Sequence, residues 1–131
     1  MSERHEGGCL CGAVRYRVAG AAPACNVCYC RSCRKATGAP VVAFADLAPG
    51  QFSWTSGEPA FYASSPGVRR GFCPACGTSL TFEHERQPGE VHVLSATFDD
   101  PAPFVPDKEF FVEERVSWLQ VRLPGAGRGT P

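Results

Sequence analysis

Seven of the eight cysteines in this 131-residue chain fall into three tight groups: Cys9-Leu10-Cys11, Cys28-Tyr29-Cys30 with Cys33, and Cys73-Pro74-Ala75-Cys76. The eighth, Cys25, stands just ahead of the central group. Cysteines this close in sequence bridge each other poorly, so a disulfide framework would have to link group to group. Clustered cysteines in a reducing compartment point instead to metal or catalysis. Zinc in structural sites takes four thiolates at tetrahedral corners. Cys73-Pro74-Ala75-Cys76-Gly77 is the stronger half of such a site, because the two intervening residues let the chain curl round a metal. Gly77 can then take a positive φ that turns backbone N–H groups toward the sulfurs. Cys9-Leu10-Cys11-Gly12 is a shorter version with the same trailing glycine. Together, Cys9, Cys11, Cys73 and Cys76 are expected to form one structural zinc site. It would close a long loop and so contribute to the folding free energy.

The central group supplies three thiolates. A closed structural site wants four, whereas a catalytic zinc keeps one position open. Cys25 could complete the set and close it; without Cys25, Cys28, Cys30 and Cys33 would make an open site or a group of redox-sensitive thiols. A zinc ion with three thiolates is a poor Lewis acid, better suited to holding a fourth, nucleophilic thiolate than to activating water, so a thiol is the natural guest. Arg31, Arg34 and Lys35 flank this group, and Arg69 and Arg70 precede the last one. If folding brings the groups together, these cations would offset thiolate charge and bind carboxylates. His5, His84 and His92 lack partner spacing and are expected to be non-functional.

The elements that position these residues read as short strands. Twelve prolines and fourteen glycines punctuate the chain, as turns between strands require. Ala13 to Val18 alternates, placing Val14, Tyr16 and Val18 on one face. Further β-rich runs are Val41 to Phe44, Phe52 to Thr55, Phe61 to Ala63, Ser79 to Phe82, Val91 to Phe98 and Ser117 to Leu123. One short helix is expected over residues 32–37, capped by Ser32 and ended by Gly38. The reading is an all-β fold of short antiparallel strands in a single zinc-binding domain over residues 1–123, with 124–131 a flexible tail. Thirteen basic and thirteen acidic side chains cancel, so no bulk field would hold nucleic acid or an anionic membrane. The opening Met-Ser-Glu-Arg-His-Glu lacks a signal peptide's apolar stretch, and no run approaches a membrane span. A cytoplasmic location is expected.

Three blocks carry a resemblance: Gly8-Cys9-Leu10-Cys11-Gly12-Ala13-Val14; Cys28-Tyr29-Cys30-Arg31-Ser32-Cys33 continuing to Pro40; and Phe72-Cys73-Pro74-Ala75-Cys76-Gly77-Thr78. In this order and with these flanks, the chain resembles the glutathione-dependent formaldehyde-activating enzyme family, which includes the centromere protein V-like proteins. The likeness runs from about Gly8 to Trp118. It implies a β-tent fold with two zincs, one structural on Cys9, Cys11, Cys73 and Cys76 and a second, more labile and substrate-side, on Cys28, Cys30 and Cys33. The implied reaction is a carbon–sulfur lyase-type addition of glutathione, or a related thiol, to formaldehyde or another small aldehyde. Cys28, Cys30 and Cys33 would then be the catalytic set, with Arg34 and Lys35 holding the thiol's carboxylates. Where many members carry histidine between the first two central cysteines, Tyr29 stands here. Two other readings compete. One is a non-catalytic zinc module whose central group is closed or empty; the other is a methionine sulfoxide reductase relative, which the clustering of Cys28, Cys30 and Cys33 fits poorly.

Overall fold

Alternating side chains sort this chain onto the faces of two sheets. In the computed structural model, which describes residues 3–124, the elements in chain order are β1 (Arg4–Gly8), β2 (Arg15–Ala19), β3 (Ala24–Cys28), α1 (Arg31–Thr37), β4 (Val42–Leu47), β5 (Phe52–Ser56), β6 (Ala60–Ser65), β7 (Val68–Phe72), β8 (Ser79–His84), β9 (Val91–Leu94) and β10 (Lys108–Phe110). One sheet runs β1-β2-β5, and the other β10-β3-β4-β9-β8-β7-β6. The fold is a small all-β domain with one short helix.

Successive residues of a strand point to opposite faces, and the register of β3 against β4 decides what each face of the large sheet carries. Cys28 lies opposite Val42 and Asn26 opposite Phe44, whereas Cys25 lies opposite Ala45 and Val27 opposite Ala43. The face holding Ala45, Leu47 and Val93 packs on Tyr16 and Val18 of the small sheet and makes the main core, joined by Leu80, Phe98 and Phe104. The opposite face holds Val42, Phe44 and Cys28, against which Cys33 of α1 packs. The helix therefore covers an outer face of the large sheet, and the cysteines of the central group lie under it.

Several sequence expectations are corrected here. Ser117 to Leu123 forms no strand. The edge position beside β3 is taken by β10, which pairs with it in parallel, so that segment has no ladder to join; it buries Leu123 against Val27 and Tyr29 instead. The strand expected over Val91 to Phe98 stops at Leu94, after which Ser95–Thr97 is a 3-10 turn in which Thr97 Oγ1 donates to Leu94 O at 2.7 Å. Arg4–Gly8, for which no strand is expected from the sequence, is strand β1, with the His5 ring edge-on to Phe104 at 4.9 Å. The helix spans Arg31–Thr37, one residue longer than expected, and its cap is Cys30 and not Ser32: Cys30 Sγ accepts from Cys33 N. Gly38 ends it at φ 75°, as expected. Beyond Pro124, the expected tail lies outside the described residues.

Candidate functional site

The first cysteine group is built from two turns facing each other. Between β1 and β2, Gly12 takes φ 83° and its N–H closes on Cys9 O at 3.1 Å. Val14 N donates to Cys9 Sγ at 3.2 Å. Between β7 and β8, Gly77 takes φ 82° and its N–H closes on Cys73 O at 2.8 Å. Ala75 N and Cys76 N then donate to Cys73 Sγ at 3.3 and 3.4 Å. Thr78 joins the turns: its Oγ1 accepts from Leu10 N at 3.0 Å, leaving its proton for Cys76 Sγ at 3.2 Å. That hydrogen bond is the largest cause holding the Cys76 thiol down to about 5. All four Sγ atoms lie within 4.8 Å of one another, in a group that could hold a metal ion. Thiolates about 2.3 Å from a tetrahedral zinc stand about 3.8 Å apart. Cys9 to Cys11 measures 3.6 Å and Cys11 to Cys73 measures 3.8 Å, so the donor set fits that ion.

The second group converges where β3 runs into α1. Cys28 ends the strand, Cys30 caps the helix and Cys33 sits in its first turn; their Sγ atoms also lie within 4.8 Å of one another and could hold a metal ion. Cys25 does not join them. Three residues before Cys28 on the same strand, it falls on the opposite face and packs against the main core, where burial pushes its thiol up. Tyr29 likewise turns away, fully buried, and donates to Glu109 Oε1 at 2.6 Å.

Arg70 is the cation that reaches this group. Both its terminal nitrogens stand 3.9 Å from Cys33 Sγ, while its Nε donates to Ser64 Oγ at 3.1 Å and its guanidinium lies over the Phe82 ring at 5.1 Å. The Cys33 thiol is held down to about 6, first by hydrogen bonding from Cys28 and also by Cys30 and Arg70. Cys28 is pushed up, first by its hydrogen bond to Cys33 and then by burial. Arg70 thus sets a positive charge beside the sulfur of Cys33.

Two concavities meet at Ser32 and Arg70. One is a groove of about 540 Å³ between α1 and β6–β7, lined by Arg31, Lys35 and Arg70, and among the described residues no carboxylate is on its walls. The other is a cavity of about 350 Å³ reaching from Cys28, Cys30 and Cys33 to Asn26, Asp46 and His92. Of the two cations expected to hold carboxylates, Lys35 lines the groove. Arg34 lines a separate depression beside Pro40 and Trp118, its Nε buried without a partner. Arg69 is drawn off to Glu83, 3.3 Å away.

His92 lacks partner spacing in the sequence, yet it alternates with Val91 and Val93 on β9 and lines the cavity. Its Nδ1 is 3.3 Å from Asp46 Oδ1 and its Nε2 3.1 Å from Glu90 Oε1, and it stacks on Phe82 at 5.7 Å. Asp46 and Asn26 were not singled out from the sequence either. Only the pairing of β4 with β9, which sets Asp46 against His92, brings them together, and no local spacing carries that register. His84 keeps a structural part, its Nδ1 accepting from Arg86 N at 3.0 Å.

Comparison with known proteins bears on this arrangement. The family model described as glutathione-dependent formaldehyde-activating enzyme matches residues 4–114. A Halomonas elongata protein named as a candidate glutathione-dependent formaldehyde-activating enzyme is 31% identical over 126 residues, covering 88% of this chain and 80% of the relative. An uncharacterised lyase of Schizosaccharomyces pombe is 34% identical over 80 residues, 61% of this chain and 58% of the relative. The crystal structure of a Rhodobacter sphaeroides protein superposes with a TM-score of 0.64 over 80% of this chain and 98% of that one. At 21% identity, that last likeness speaks to the fold alone.

Proposed function

The chain belongs to the glutathione-dependent formaldehyde-activating enzyme family, and from that premise we propose that it joins a glutathione-like thiol to a small aldehyde at Cys28, Cys30 and Cys33. The observation that carries this reading is the meeting of a cationic groove and an aromatic-walled cavity at a three-thiol group with Arg70 beside it. When bound, zinc would be held by Cys28, Cys30 and Cys33 and would supply a further position at which a thiol is kept as its nucleophilic thiolate. A second zinc on Cys9, Cys11, Cys73 and Cys76 would be structural.

The protein's own residues divide the remaining work. Glutathione carries two carboxylates, and Arg31, Lys35 and Arg70 offer cations along the groove to hold them. Binding the thiol's body there fixes the direction of its sulfur toward the cavity, which lowers the entropic cost of meeting the aldehyde. Phe44 and Phe82, on the cavity wall, exclude water from the carbonyl. In the reaction the S–H bond breaks, a C–S bond forms, and the proton ends on the carbonyl oxygen. Nothing is oxidised or reduced.

Exchange NMR of glutathione with formaldehyde, read against the spontaneous rate, tests this reading. Wild-type protein is expected to accelerate adduct formation and Cys30→Ser to lose about 100-fold or more of that acceleration while remaining folded. An undiminished rate in a folded Cys30→Ser variant would overturn the assignment.

A further inference from the structure

The cavity beside the three thiols is far larger than a one-carbon aldehyde needs. Formaldehyde has two heavy atoms and occupies roughly twice the ~30 Å³ of a water molecule in the liquid, against about 350 Å³ here. Its middle is aromatic, with Phe44, Phe82 and Phe110 on the walls, and its far end is polar, formed by Asn26, Asp46 and His92. Asp46 is held in place there. Its Oδ1 is buried without a hydrogen bond although His92 Nδ1 stands 3.3 Å away, and its Oδ2 accepts from Asn26 Nδ2 at 3.0 Å. The side chain retains 23% of its exposure and lines the cavity; with Oδ1 buried, Oδ2 is the oxygen that a guest's donor would meet. A carboxylate oxygen has a second lone pair, so Oδ2 can accept once more. Formaldehyde has no donor to give it.

Resting on the function proposed above, we propose that the carbonyl substrate is an aromatic aldehyde bearing a hydroxyl donor, its ring lying against the wall that Phe44 and Phe82 form together and its hydroxyl donating to Asp46 Oδ2. The spacing suits such a molecule. Val42 lies opposite Cys28, and Asp46 follows four positions along β4, roughly 13 Å at the usual strand rise of about 3.3 Å per residue. A C–S bond of about 1.8 Å and a hydrogen bond of about 2.8 Å taken from that span leave about 8 Å, a length that a one-carbon aldehyde does not bridge. A benzene ring supplies rigid length along this span, and its faces match the aromatic walls. The covalent step is unchanged: thiol S–H becomes C–S and the carbonyl becomes an alcohol.

The probes are 3-hydroxybenzaldehyde and 3-methylbenzaldehyde, equal in heavy atoms and close in shape. Their dissociation constants would be read by amide chemical shifts on the zinc-loaded full chain, with catalysed glutathione–formaldehyde exchange measured in parallel. The hydroxyl compound is expected to bind about tenfold or more tightly, the discrimination a hydrogen bond to a charged acceptor provides, and to shift the amides of Phe44, Asp46 and His92. In Asp46→Ala the ratio of the two constants is expected to fall to about one; because both are read in the same variant, a general loss of stability cancels. Equal binding of the two aldehydes to wild-type protein that still catalyses formaldehyde exchange would overturn this inference and leave the broader function standing. Absence of catalysed exchange with any of the three aldehydes would overturn both.

Discussion

Thr78 shows how much of the first cysteine group depends on a side chain that is not a cysteine. Its oxygen accepts from Leu10 N and its proton goes to Cys76 Sγ, so one hydroxyl ties the two turns together and favours the thiolate on one of them. Groups that hold a ligand this way typically change metal affinity by about 10–100-fold. Thr78→Val keeps the shape and removes both hydrogen bonds. It is expected to weaken zinc binding by that order, read by competition with a chromophoric chelator; an unchanged affinity would show that the turns alone hold the sulfurs. In the second group Arg70 is the comparable residue, a guanidinium fixed by Ser64 and Phe82 and aimed at Cys33. The cysteines themselves were legible from sequence because turn geometry is local: one or two intervening residues and a glycine settle it. Arg70 stood among five candidate cations, and only the pairing of β7 with β8 separates it from its neighbour Arg69.

Helix α1 is seven residues long, too short to hold its form unaided. It persists because its ends are tied down. Cys30 Sγ accepts from Cys33 N, Glu114 Oε1 accepts from Arg31 N at 2.7 Å, and Gly38 N closes on Arg34 O at 2.7 Å. Since α1 carries Cys33 and borders the groove, its stability is the site's stability. Glu114→Ala is expected to cost about 1 kcal/mol, read as a lower denaturation midpoint in urea; an unmoved midpoint would mean that water replaces Glu114 without loss. The strands legible from sequence, such as β2 and β5, carry β-branched and aromatic residues in alternation. Those missed, β1, β3, β7 and β10, carry charges, glycines or cysteines in their place. They are strands because partners flank them, and pairing overrides weak propensity. Ser117 to Leu123 is the converse, a good local pattern with no partner edge.

At the scale of the molecule, the two cysteine groups have different structural settings. The first joins the β1–β2 turn to the β7–β8 turn, with Cys11 and Cys73 sixty-two positions apart, and so links the small sheet to the large one. The second lies on the outer face of the large sheet between a groove and a cavity. The cysteine groups could be read from the sequence, whereas the cavity could not: Asn26, Asp46, Phe82 and His92 come from four strands, and only the registers of β3, β4, β8 and β9 bring them onto one face. Among the described residues no helix is long and apolar enough to cross a membrane. The central claim is that one group closes around a metal and the other keeps a place for a thiol. Native mass spectrometry of the freshly reduced, zinc-supplied chain, with and without glutathione, tests it most directly. The account predicts two zincs per chain and one added glutathione, the latter lost in Cys30→Ser. A single zinc with no glutathione bound, zinc being in excess, would contradict it.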